Sequence, residues 1–183
     1  MVIATIDWVT SKIAMSVAAL VIIGAVVSYF TVSINTNDQY DYLESIASTI
    51  AGGVNSAIDH QSEIMVNITS HPDIEPGRYI PETIDGDPYT IVLFNNFVSI
   101  EYQNYRVTAD FIGHVHLGSW KNSDALKSRM VSEEFIEEYD HNHRIMTIPS
   151  GDTIHIEKIR LSVDGRDEYH VFVYSDNAVI KAA

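Results

Sequence analysis

Eight histidines and 25 Asp and Glu residues supply most of the reactive side chains of this 183-residue chain, and it has no cysteine. Without thiols there are no disulfide frameworks, thiolate nucleophiles or Cys-based zinc sites. His114 and His116 stand two apart in a β-prone stretch, so on a strand both rings face one side, as in some zinc sites. Asp140-His141-Asn142-His143 forms a second group of donors. A catalytic zinc needs a third ligand, an open position and a supporting outer shell. Neither spacing shows these, so surface or sheet histidines without a metal are expected. The letters His-Asn-His do not indicate a nuclease, because no supporting metal-site pattern follows them.

Calcium is the other cation to weigh in so acidic a chain. Asp85-Gly-Asp87 and Asp164-Gly-Arg-Asp167-Glu168 place carboxylates in turns. Neither run has the alternating ligands and closing Glu of a calcium loop, and turn chemistry accounts for both Asp-Gly pairs. Glu133-Glu134 and Glu137-Glu138, followed by Asp140, read as a solvated acidic face; glycoside chemistry would need a sugar cleft around paired carboxylates. No nucleophile elbow, zincin helix motif, P-loop or dinucleotide fingerprint occurs. The expectation is no catalytic residue, no cofactor and no enzyme. Eleven Lys and Arg against 25 acids leave a net charge of −14. Such a field repels phosphate backbones, which excludes nucleic acid as a partner.

The elements that would carry these residues begin with an uncharged run from Ile13 to Asn37. Within it, Ile13–Val32 forms a mostly apolar stretch that, as a helix, is about 30 Å long, the thickness of a bilayer's hydrocarbon core. A cleavable signal would have a shorter apolar stretch and a small-residue cleavage site, and Ser33-Ile-Asn-Thr is a poor one. A retained transmembrane helix over 13–34 is therefore expected, after a short leader over 1–12. Lys12 precedes the span, while Asp38, Asp41, Glu44 and Asp59 follow it, which places the N-terminus in the cytoplasm and the rest outside. Asn67-Ile68-Thr69 is a glycosylation sequon compatible with export, making Asn67 a candidate acceptor.

Beyond the span, Tyr40, Leu43, Ala47, Ile50, Val54, Ala57 and Met65 recur at helical spacing, with polar residues on the complementary face. An amphipathic continuation over 35–70 is expected, with Gly52-Gly53 as a kink or a point of close approach, ended by His71-Pro72 and Glu75-Pro76-Gly77. From there the period changes to two. Tyr89–Phe94 and Phe97–Tyr102 form a hairpin around Asn95-Asn96. Arg106–Phe111 and His114–Leu117 extend the sheet, and Arg144–Ile148, Thr153–Val163 and Glu168–Tyr174 close it as a meander. Ser123–Tyr139 reads as a short helix or an irregular excursion. The expected fold class is α+β: a long N-terminal helix packed on an antiparallel β-sheet head spanning 77–176, with a tail over 177–183.

This layout resembles the type IV pilins, whose apolar N-terminal helix continues into an amphipathic half lying on a β-sheet head. More narrowly, Pro81-Glu-Thr-Ile-Asp-Gly-Asp-Pro-Tyr-Thr-Ile91, His116-Leu-Gly-Ser-Trp120 and Ile148-Pro-Ser-Gly-Asp-Thr-Ile154 are similar to segments of small archaeal pilin-like exported proteins. The resemblance implies a structural or assembly component acting by helix-mediated association, at the cell surface and in a filament. No Lys-Gly, Arg-Gly or Lys-Ala pair precedes Ile13, which departs from the processing site of that family and favours a permanently anchored, pseudopilin-like protein. The partners implied are the lipid bilayer and sister subunits. Small-xxx-small pairs Ala14/Ala18 and Gly24/Ser28 offer contacts in the membrane, and Leu43, Ala47, Ile50 and Val54 offer them beyond it. An alternative is a membrane-tethered ectodomain that binds or senses a ligand through the loop around Ser119–His143. A third reading is an anchored hydrolase.

Overall fold

The computed structural model describes residues 38–70 and 79–182. The chain divides into two compact units, Met1–Asp41 and Tyr42–Ala183, and the second contains every described strand. The expected leader 1–12 and transmembrane segment 13–34, including Ala14, Ala18, Gly24 and Ser28, lie outside the described residues. Among the described residues no helix is long and apolar enough to cross a membrane.

Helix α1 covers residues 38–59. Its buried positions Leu43, Ile46, Ala47, Ile50, Val54 and Ala57 repeat at steps of three and four and form one stripe inside the main core. Gly52-Gly53 does not break the helix. Gly53 is a point of close approach: a Cβ there would stand 2.8 Å from Ile68 Cδ1 and 3.3 Å from Ile156 Cδ1. The helix stops at residue 59, where Lys158 Nζ donates to the Ile58 carbonyl at 2.6 Å and also to the His60 carbonyl. A buried ammonium at a helix C-terminus satisfies free carbonyls and complements the dipole.

Ten strands follow among the described residues: β1 (Ile64–Ile68), β2 (Thr90–Phe94), β3 (Phe97–Tyr102), β4 (Tyr105–Asp110), β5 (His116–Leu117), β6 (Met130–Val131), β7 (Ile145–Pro149), β8 (Ile154–Val163), β9 (Arg166–Tyr174) and β10 (Val179–Lys181). Two short helices, α2 (Asp124–Lys127) and α3 (Glu133–Asn142), lie between β5 and β7. One sheet has the order β1-β8-β9-β5, with β6 on the flank of β8; the other has the order β10-β7-β2-β3-β4. Asn95-Asn96 joins β2 to β3, with Leu93 opposite Val98, and Phe94 and Phe97 stack across that turn at 4.2 Å. Asp164-Gly165 joins β8 to β9, and both residues have positive φ, as a two-residue hairpin loop requires. Asp85 and Gly86 share that conformation between the bridged Ile84 and Asp87.

These facts correct the expected fold class. The described protein is mainly β, with two sheets instead of a single antiparallel one on a long helix. The helical stretch expected over 35–70 ends at residue 59, and residues 64–68 within its last third form strand β1. Ile64, Val66 and Ile68 alternate with a period of two, which a helix would scatter over opposite faces, and five register pairs with β8 hold them in a strand. Met65, expected on the buried stripe, is 55% exposed. The meander also divides, because β7 leaves the β8–β9 hairpin and pairs with β2. Strands β5 and β6 pair parallel with β9 and β8, and parallel neighbours require the crossovers that α2 and α3 occupy. The expected tail contains β10, which pairs with β7.

Period two on β8 and β9 sorts side chains between two cores. Ile154, Ile156, Val171 and Val173 enter the main core beneath α1, while Ile159, Leu161 and Phe172 enter a second cluster with Leu126 and Tyr139. The candidate site is built on this second face.

Candidate functional site

His116 on β5 and Phe172 on β9 are register partners, and the rings lie 4.9 Å apart. His170, two residues earlier on β9, shares that face. Helix α3 covers it. Ser132 caps α3 by accepting from the Phe135 amide, Glu133 and Glu134 occupy the first turn, and Asp164 accepts from the Glu133 amide. These side chains occupy the amides that a helix N-terminus leaves free. Tyr139 is buried against the second cluster, so the next residue, Asp140, falls on the flank nearest β5. The approach is close because residue 118 is glycine: φ is +111°, and a Cβ there would sit 2.7 Å from Tyr139 Oη.

Asp140 gathers two imidazoles. His114 Nε2 lies 2.7 Å from Oδ2 and His116 Nδ1 lies 2.7 Å from Oδ1. His116 Nε2 lies 2.9 Å from His170 Nδ1. Burial opposes charge on Asp140, but the hydrogen bonds from His114 and His116 and their positive charge outweigh it and hold its carboxyl at about 2. The same hydrogen bond raises His114 above the ordinary imidazole range against its partial burial. Burial lowers His170, and charge on His116 acts in the same direction.

The ionised carboxylate assigns the tautomers. It accepts from His114 Nε2–H and from His116 Nδ1–H. When His116 is neutral, its Nε2 accepts from His170 Nδ1–H. His170 Nε2 is left buried without a hydrogen-bond partner.

A hollow of about 380 Å³ adjoins the cluster, lined by His114, Asp140 and His170 together with Ile58, Gly113 and Lys158. Lys158 Nζ donates to the Ile58 and His60 carbonyls at the end of α1. A groove of about 410 Å³ runs along the other flank of α3, between Ser119, Asn122, Phe135 and His143. It lies in the segment expected to form a recognition loop.

The sequence marked His114 and His116, and separately Asp140–His143, as donor groups. The structure joins the first pair to Asp140 and sends the others elsewhere. His143 stacks on Tyr139 at 4.1 Å and donates to its carbonyl, and His141 accepts from Arg144. His170 was missed; its alternation with Phe172 and Tyr174 on β9 is the signal that shows it on the same face. Both acidic turns serve as turns, and Glu133, Glu134, Glu137 and Glu138 are exposed. Of the residues expected to mediate helix association, Leu43, Ala47, Ile50 and Val54 have no exposed surface and pack within their own chain. Asn67 lies on β1 and accepts from His155 at 2.8 Å, while Thr69 of the same sequon is buried, so the sequon lies on a paired strand instead of a surface loop.

No protein-family model, curated protein or solved structure matches this chain.

Proposed function

We propose that this chain is a membrane-tethered ectodomain that binds a small polar ligand. The uncharged segment 13–34 is its anchor, Lys12 faces the cytoplasm, and the β-rich unit stands outside. The observation that carries the binding role is the meeting of His114, His116, Asp140 and His170 at one hollow. Separate stretches of chain supply these groups. The assembly role is less well supported, because Leu43, Ala47, Ile50 and Val54 are consumed by intramolecular packing. Of the residues expected to mediate association, those in the segment 13–34 would remain.

Two measurements test the reading. Membranes containing the full chain should retain it through alkaline carbonate washing, and protease added outside intact cells should remove the β-rich unit. Recovery in the wash, or in shed filaments, would reject the tethered receptor. The detergent-solubilised chain should gain thermal stability from at least one of zinc chloride, inorganic phosphate or citrate. That gain should disappear in His114→Ala/His116→Ala. A panel with no such difference would reject the binding site.

A further inference from the structure

We propose that the hollow is a mononuclear site for a first-row divalent transition ion, with zinc as the reference case, held by His114 Nε2, His116 Nδ1 and one oxygen of Asp140. This rests on the proposed binding role and specifies its ligand.

The three donor atoms already lie within 4.8 Å of one another. In a tetrahedral zinc site with bonds of about 2.0–2.1 Å, ligand atoms lie about 3.3 Å apart. With Oδ2 as the ligating oxygen, the 2.7 Å contact from His114 Nε2 therefore needs to open by roughly half an ångström. His114 can supply that movement, because its side chain is 54% exposed while that of His116 is 6% exposed. His116 is held between β9 and α3, with Phe172 4.9 Å and Tyr139 6.5 Å from its ring. One fixed ligand, one adjustable ligand and a carboxylate on a capped helix can close around an ion without moving a strand.

The donor set selects the ion. Two imidazole nitrogens with one carboxylate oxygen suit zinc and its first-row neighbours, whereas calcium and magnesium take oxygen ligands. Three protein ligands leave a further position for water or for a group entering from the hollow.

His170 supplies an outer partner. For His116 Nδ1 to offer its lone pair, its proton must move to Nε2, and Nε2–H then donates to His170 Nδ1 across the existing 2.9 Å contact. His170 carries its own proton on Nε2, the atom that has no hydrogen-bond partner. The exchange conserves protons within the pair and leaves a ligating histidine with the second-nitrogen hydrogen bond that such ligands usually have. His114 moves its proton to Nδ1, on the solvent-facing ring. The surrounding field also favours a cation, since the chain carries −14 overall, against which stands the one positive charge of Lys158 in the lining.

The test uses the untagged full-length chain in detergent, stripped with chelator. Zinc titrated by calorimetry should bind one ion per chain, and cobalt(II) should develop the intense visible bands of a tetrahedral site that zinc then displaces. His116→Ala and Asp140→Asn should abolish both signals, with folding checked by circular dichroism. His170→Phe should keep the site but weaken it about ten-fold. His141→Ala/His143→Ala should leave it unchanged. Absence of stoichiometric uptake by the wild type, or uptake that survives His114→Ala/His116→Ala, would overturn the proposal. Stabilisation by phosphate or citrate with no zinc uptake would also remove the metal, while leaving the binding role in place.

Discussion

Glu157 shows how far a single carboxylate can be committed. Its side chain is almost fully buried, yet it accepts from Lys121 Nζ at 2.6 Å, from Tyr174 Oη at 2.8 Å and from the Trp120 indole N–H. Burial pushes its pKa up, but those three donors and the lysine charge outweigh burial and leave it below the ordinary carboxylate range. The native protein therefore holds the ionised form more strongly than the unfolded chain does. The stability gained is complete above about pH 4.3, the unfolded value, and is lost as pH falls through the lower native one. Glu157→Gln is expected to cost about 2–3 kcal/mol near neutrality, because the amide cannot accept from all three donors. It should also flatten the acid limb of the stability profile. Chemical unfolding of both proteins from neutral to acidic pH checks this, and an unchanged acid limb would refute the assignment.

At the scale of elements, α1 holds two adjacent glycines in opposite surroundings. A Cβ at Gly52 meets nothing within 4 Å, whereas one at Gly53 collides with fully buried Ile68. Both alanine substitutions gain the same helix propensity, about 1 kcal/mol. Only the second pays for overpacking, on the order of 1–3 kcal/mol. Gly52→Ala should therefore raise the unfolding midpoint, and Gly53→Ala should fall below it by that overpacking difference. Equal midpoints would mean that α1 does not press on β1 and β8. The hairpins were legible at this scale from local chemistry. Asn95-Asn96 between two alternating runs, and Asp164-Gly165 with positive φ at both residues, specify their turns without reference to anything distant. The end of α1 was not legible, since the ammonium that caps the helix belongs to Lys158, about 100 residues away in sequence.

For the whole molecule, the imbalance of 25 acids against 11 bases has a consequence that no single pair decides. Like charge spread over a small folded unit disfavours the compact state, and added salt screens it. The thermal midpoint of the full chain should rise with sodium chloride, steeply at first and then level once the Debye length falls to about 3 Å near 1 M. A midpoint that drops with salt would show that attractive surface pairs outweigh the repulsion. Ion pairs such as Arg129–Glu63 and Arg160–Asp167 are exposed, and pairs of that kind contribute little individually.

The amino-acid order alone determined the uncharged anchor-like run, the amphipathic stripe of α1, most strand positions and the turn residues between them. Each of these arises from forces acting within a few residues: periodic burial, φ preference and backbone hydrogen bonding. Tertiary structure alone decided that there are two sheets, that β5 and β6 pair parallel, and that the stripe on α1 is consumed internally. It also brought His114 to Asp140 across 26 residues and His116 to His170 across 54. Such meetings depend on which strand edges pair and which face a helix covers, and those choices minimise exposed apolar area over the entire core. No local spacing encodes them.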